Sequence, residues 1–154
     1  MTNLTIGQKA PKFSVSLDAN TQKSLNDYKG KKLVLYFYPK DDTPGCTTQA
    51  VNFSAVKDDY AASGVEILGV SADSIEKHEK FRTKHSLTID LGSDPEMKML
   101  QDYGVWVEKN MYGRKYMGIE RSTFLIDETG TILHIWRKVK VKTHLDDILE
   151  ALGD

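Results

Sequence analysis

The chain holds one cysteine, Cys46, and the residues around it suit that thiol to chemistry. In FYPKDDTPGCTTQAVNF (37–53) an apolar run ends at Pro39, two aspartates follow, and Thr43-Pro44-Gly45 leads into Cys46. Thr43 fits a helix N-cap and Pro44 the first helical position, which makes Cys46 the third. A sulfur there lies beside unpaired backbone N–H groups and the positive end of the helix dipole, both of which favour thiolate over thiol. Thr43 and Cys46, three apart, share a helix face. Pro44 stiffens the turn, and Gly45 lets a small ligand approach the backbone N–H groups of Gly45 and Cys46. Inert packing competes with this: free cysteine is among the most buried residue types, Pro39 can simply end a strand, and Thr43 can be a mere cap. The set of residues, rather than any one of them, favours a nucleophile.

Such a nucleophile needs a strand before it and a helix behind it. Leu33 to Tyr38 is a continuous apolar run rich in β-formers, as in a strand covered on both faces. From Thr47 to Ala62, Phe53, Val56 and Tyr60 mark a helical face. GVEILGVSA (64–72) reads as a second buried strand, and Asp73 with Glu76 as a capping box for a helix over Ser74–His85. LTIDLGSD gives a short strand, and Asp94-Pro95 starts a helix through Tyr103. Residues 122–139 form a hairpin around Asp127-Glu128-Thr129-Gly130. A final helix carries Leu145, Ile148, Leu149 and Leu152, with Thr143 and Asp146 as its capping box. The order β-α-β-α-β-α-β-β-α implies an α/β three-layer sandwich: a mixed, mostly parallel central sheet flanked by helices, in one domain spanning residues 1–154. Functional groups in such folds collect where strands end and helices begin, which is where Cys46 lies.

The totals exclude other classes. The chain has 154 residues, 40% hydrophobic and 28% charged, with a mean hydropathy of −0.44. A formal charge of −1 argues against a nucleic-acid partner, and RKVKVK (137–142) reads as an amphipathic strand edge. No apolar run approaches a membrane span, and MTNLTIGQKAPKF lacks a signal-peptide layout. With one cysteine no internal disulfide forms, so a reducing cytoplasm is expected. No cofactor or metal is called for. His78 and His85 lie about 10.5 Å apart along a helix, too far to share an ion, and His134 and His144 show no evident partner. Cys-x-x-Cys reductase chemistry is absent because the fourth position is Gln49. Met97, Met99, Met111 and Met117 read as core or rim packing. No exposed apolar stripe is evident, so a monomer is expected, with a weak homodimer as the alternative.

Pro39-x-x-x-Thr43-x-x-Cys46 resembles the signature of the peroxiredoxins, thioredoxin-fold thiol peroxidases. YFYPKDDTPGCTTQA is similar to their bacterioferritin comigratory protein, or peroxiredoxin Q, branch. IGQKAPKFSV, DYGVWVEKNMYGRKYMGIERSTFLID and GTILHIWRKVKVKTH agree in order, so the resemblance covers nearly the whole chain. It implies a thioredoxin-like fold and the reduction of hydrogen peroxide and organic hydroperoxides through a sulfenic acid. It further implies that Cys46 attacks the peroxide, Thr43 hydrogen-bonds thiolate and peroxide, Arg121 polarises the site, and Pro39 shields it from water. A free thiol with a pKa of about 8.5 is only roughly 3% thiolate at pH 7, so complete ionisation gains about thirty-fold at most. Further rate must come from fixed donors that stabilise the leaving oxygen, for which a guanidinium is suited. Without the resemblance, Arg121 would read as a surface arginine at a strand edge.

Many members of that branch carry a resolving cysteine five residues after the first, where this chain has Val51. Serine or alanine is the usual replacement in a cysteine knock-out, so the valine is taken as native. Five helical residues rise about 7.5 Å and turn the side chain roughly 140° away, so that pairing requires the helix to unwind. Val51 removes the need and can pack instead. The sulfenic acid then falls to an external thiol: thioredoxin, glutaredoxin or a low-molecular-weight thiol. A single-use redox sensor or chaperone module on the same fold is the alternative.

Overall fold

The computed structural model describes residues 4–153. A short hairpin, β1 (Ser14–Ser16) and β2 (Gln22–Ser24), precedes a 3-10 turn and the first core strand, β3 (Lys32–Phe37). There follow α1 (Pro44–Ala62), β4 (Val65–Ser71), α2 (Ile75–His85), β5 (Asp90–Ser93) and α3 (Lys98–Asp102). The chain ends with β6 (Trp106–Met111), β7 (Arg114–Ile119), β8 (Ser122–Ile126), β9 (Ile132–Trp136) and α4 (Val141–Ala151). The main sheet runs β2-β1-β5-β4-β3-β8-β9. Its centre, β5-β4-β3, is parallel, and the flanks are antiparallel, as expected of a mixed α/β sheet.

Alternation along β3 divides the core. Leu33, Leu35 and Phe37 face a layer built from Phe13, Tyr28, Leu100 and Tyr103. Val34, Tyr36 and the following Tyr38 face Ala50, Phe53, Phe81 and Ile148, contributed by α1, α2 and α4. Side chains two apart share a face of a strand, so one apolar run supplies both cores.

Three helix boundaries differ from the sequence expectation. Ser74, not Asp73, caps α2 and accepts from the Lys77 N–H. Asp73 is drawn away by the Asp41 N–H and the Ser71 hydroxyl, both of which donate to its Oδ2. Pro95 lies in a turn, because Asp94 folds forward to accept from the Leu100 N–H, and α3 begins only at Lys98. The last helix starts at Val141, so Thr143 and Asp146 lie within it rather than at its cap. Residues 137–142 accordingly form a loop and the first turn of α4, not a strand edge. Residues 106–119, for which no element was expected, form the hairpin β6–β7, whose turn holds Tyr112 and Gly113 at positive φ. It exposes Met111, Tyr112, Tyr116 and Met117 individually, on both faces of the ribbon.

His144 also has a partner. It is buried, its Nε2 lies 2.7 Å from the Thr123 hydroxyl, and it meets Phe53 and Trp136 edge-on. Burial lowers its pKa from 6.5 to about 4; Arg121 pushes the same way and Asp147 opposes. The unfolded chain therefore takes up this proton before the folded one does. The stability it supplies is present above pH 6.5 and is lost as pH falls toward 4. Thermal melts of the native protein should lose Tm across that window, and His144→Gln should flatten this part of the profile; parallel profiles would refute the assignment. Gly69 tests the core itself. It sits opposite Tyr36, and an added Cβ would lie 2.6 Å from the buried ring. Gly69→Ala should destabilise the fold by about 1–3 kcal/mol in denaturant titration, with unchanged stability counting against the packing described.

Candidate active site

The apolar run of β3 ends in a short loop that enters α1, and Thr43 has the extended backbone of an N-cap (φ −95, ψ 156). Its carbonyl accepts the first helical bond from Thr47, Pro44 occupies the first helical position, and Cys46 the third. The Thr43 hydroxyl does not cap the helix. It donates back to the Lys40 carbonyl at 2.9 Å, within the loop. Pro39, just beyond β3, is exposed.

Cys46 is 1% exposed. The guanidinium of Arg121 reaches it from a residue 75 positions away: Nη2 donates to Sγ at 3.2 Å, and Nη1 donates to Gln49 Oε1 at 2.6 Å. Strand register accounts for the meeting. Arg121 directly precedes β8, which runs antiparallel to β3 with Ser122 opposite Phe37, so the arginine emerges beside the start of α1. Gly45 makes the room, since a Cβ there would lie 3.2 Å from Nη2. The space expected to admit a ligand to the backbone is thus shared with the guanidinium. One planar fork spans two acceptors on successive turns of α1, Cys46 and Gln49.

Gln49 escaped notice in the sequence, where it counted only as the absent second cysteine of a reductase motif. Its spacing of three from Cys46 was the available signal. The amide is oriented by chemistry: Arg121 only donates, so the oxygen faces it, and the buried Nε2 has no hydrogen-bond partner among the described residues. Two more groups shape the field. Lys109 of β6 is half-buried, and its pKa is lowered by burial and then by the Arg121 charge, while Glu120 and Cys46 act the other way. Tyr36 packs behind Cys46 in the same core; burial first, and then Cys46, hold its pKa far above the usual range, so it stays neutral.

Val51, where the resemblance implies a second cysteine in many relatives, is 43% exposed rather than packed. Neither His78 nor His85 lies in the site; both bond to the loop before Thr43. A cavity of about 480 Å³ lined by Lys9, Phe13, Tyr28, Leu33 and Ile126 contains none of the site residues. What surrounds Cys46 is a tight, cationic, largely water-excluding niche. It can hold an anionic sulfur and stabilise negative charge on a small neighbouring atom.

The family model described as the AhpC/TSA family matches residues 6–135. Peroxiredoxin Bcp of Bacillus subtilis is 50% identical over 151 residues, covering 98% of this chain and 96% of its own. The bacterioferritin comigratory protein of Xanthomonas campestris, solved as trapped intermediate and ligand complexes bearing on its alkyl peroxide reduction activity, superposes with a TM-score of 0.90. It is 42% identical, with 99% of this chain and 97% of that one covered. Xanthomonas campestris peroxiredoxin Q, solved with serine replacing either of two different cysteines, is 44–45% identical over 91% of this chain and 89% of its own. Its TM-scores are 0.86 and 0.85.

The Arg121 fork separates charge from geometry. Arg121→Lys keeps the charge but cannot span Cys46 and Gln49 together. The rate constant for oxidation of Cys46 by hydrogen peroxide should fall about 10²-fold, the scale of losing one preorganised donor. A loss below about three-fold would mean that charge alone suffices.

Proposed function

The chain belongs to the AhpC/TSA family, and on that premise we propose that Cys46 is the attacking sulfur of a peroxiredoxin that reduces hydrogen peroxide and organic hydroperoxides. The protein is a thiol-dependent peroxidase. The observation that carries the assignment of its residues is the 3.2 Å contact between Arg121 Nη2 and Cys46 Sγ at the start of α1. That contact brings a fixed cation to a buried sulfur.

In the first step the Cys46 thiolate attacks the terminal oxygen of ROOH. The S–O bond forms, the O–O bond breaks, and the departing RO⁻ takes a proton to leave as ROH, with Cys46 left as a sulfenic acid. Negative charge moves from sulfur to the leaving oxygen, and the Arg121 guanidinium can follow it without moving far, because its Nη1 is already fixed by Gln49. The Gly45 and Cys46 backbone N–H groups and the Thr43 hydroxyl would hold the peroxide. For Thr43 this requires the hydroxyl to turn from the Lys40 carbonyl toward the sulfur. Pro39 borders the approach.

In the second step an external thiol attacks the sulfenic sulfur and expels water. A further thiol then attacks the mixed disulfide, releasing a disulfide and regenerating Cys46. The chain has no second cysteine to take that role. Thioredoxin, glutaredoxin or a low-molecular-weight thiol would serve. The substrate range is proposed from the alkyl peroxide activity attached to the Xanthomonas relative. No helix among the described residues is long and apolar enough to cross a membrane. We place the enzyme in the cytoplasm as one domain, acting as a monomer or weak homodimer in antioxidant defence.

Catalysis and external resolution are tested together. Native protein should consume many equivalents of hydrogen peroxide with excess dithiothreitol, and Cys46→Ser none; a stoichiometric reaction would instead indicate a sensor. After one equivalent of peroxide without reductant, thiol titration should find no recovery until dithiothreitol is added. Spontaneous recovery would sink the external-thiol cycle.

A further inference from the structure

A fully buried histidine lies outside the machinery described so far. His78, on α2, is 0% exposed, and both ring nitrogens have partners. Nε2 lies 2.9 Å from the Gly92 carbonyl of β5, which can only accept, so Nε2 carries a hydrogen. Nδ1 lies 2.6 Å from Oδ2 of Asp41, itself buried. The other oxygen of that carboxyl accepts from the Tyr38 hydroxyl at 2.6 Å. Burial foremost, with further contributions from Tyr36 and Asp41, holds the Tyr38 pKa well above its ordinary value, so the hydroxyl remains a donor.

The rest of the loop is held from the same side. The Asp41 N–H donates to Asp73 at the end of β4. Asp42, at a positive φ of 61, has its carboxylate between Lys84 and His85 at the end of α2. Residues 41 and 42 are therefore fixed from α2 and β4, immediately before the Thr43 cap. Of these ties, the bonds within the His78–Asp41–Tyr38 cluster are the fully buried ones, and hydrogen bonds strengthen where water is excluded.

We propose that His78 is a positioning residue for Cys46. Through the Nδ1–Asp41 hydrogen bond it fixes the loop that sets the first turn of α1, and so keeps the sulfur within reach of Arg121. The tolerance is small, since even a Cβ on Gly45 would lie 3.2 Å from Nη2. The inference rests on Cys46 being the attacking sulfur, which residual turnover by Cys46→Ser would disprove on its own.

Asparagine and glutamine divide the two functions of the ring. The amide nitrogen of asparagine overlays Nδ1, and that of glutamine overlays Nε2. With folding verified by circular dichroism, kcat/KM for hydrogen peroxide should fall about ten-fold or more in His78→Gln, which loses the Asp41 bond. It should stay within about three-fold of the native value in His78→Asn, which keeps that bond. An equal fall in both would assign the histidine to packing alone, and no fall in either would remove it from catalysis; both outcomes overturn the proposal. Tyr38→Phe is the second arm, because it removes the other donor to the same carboxyl and keeps the ring. It should lower kcat/KM several-fold, and an unchanged value overturns the proposal even where the glutamine variant does not fold.

Discussion

The site depends on the antiparallel register between β3 and β8. Pairing of Phe37 with Ser122 brings Arg121 to the carboxyl end of β3, where the chain turns into α1. A slip of one residue would turn every side chain of β8 to the other face, moving Phe124 and Leu125 between two cores and carrying the arginine off the sulfur. Burial of both faces of the strand makes such a slip prohibitive. The apolar alternation that stabilises the sheet is therefore the same constraint that brings the guanidinium to the start of α1.

A buried sulfur that becomes charged requires donors that do not reorganise. Arg121 meets this by binding two residues of one helix, so that Gln49 orients the fork while Nη2 is left for the sulfur. Gly45 belongs to the same arrangement, because a side chain there would occupy the space of the guanidinium. Lys109 adds a second positive charge from a hairpin outside the main sheet. The niche is cationic on one side and apolar behind, where Tyr36 and Phe53 close it. Such a layout strengthens each electrostatic contact by excluding water.

How much of this was legible in the sequence follows from distance along the chain. The strand–turn–helix around Cys46 is local, and cap, proline and cysteine fell where the spacing placed them. The buried strands β3 and β4 were legible because continuous apolar runs have few other uses. Arg121 was reached only through family resemblance, since nothing in ERSTFLID reveals that it meets a residue 75 positions earlier. The His78–Asp41 pair was hidden for the same reason, because the two residues stand 37 positions apart. Hairpin β6–β7 was hidden by mixed polar and apolar residues on both faces and by a Tyr-Gly turn where Asn-Gly would have signalled one. The misplaced cap of α2 is instructive: Asp73 has the right chemistry for a cap, but a tertiary partner, the Asp41 N–H, outcompetes the local one.

A helical cysteine that must reach a partner five residues along has to leave its helix, and the loop before it must allow that. Here the partner position is an exposed valine, and the loop is held by groups from α2 and the end of β4. Local opening of α1 would have to break a buried carboxyl–imidazole pair or stretch the loop away from it, and either leaves polar groups unpaired in the interior. In a cycle closed by an external thiol that opening serves no bond formation within the chain. Rigidity of the loop and absence of a second cysteine are thus mutually consistent. On the proposed role of Cys46, the same clamp that keeps it beneath Arg121 for attack would keep the sulfenic acid in the niche, so the reductant would have to come to it.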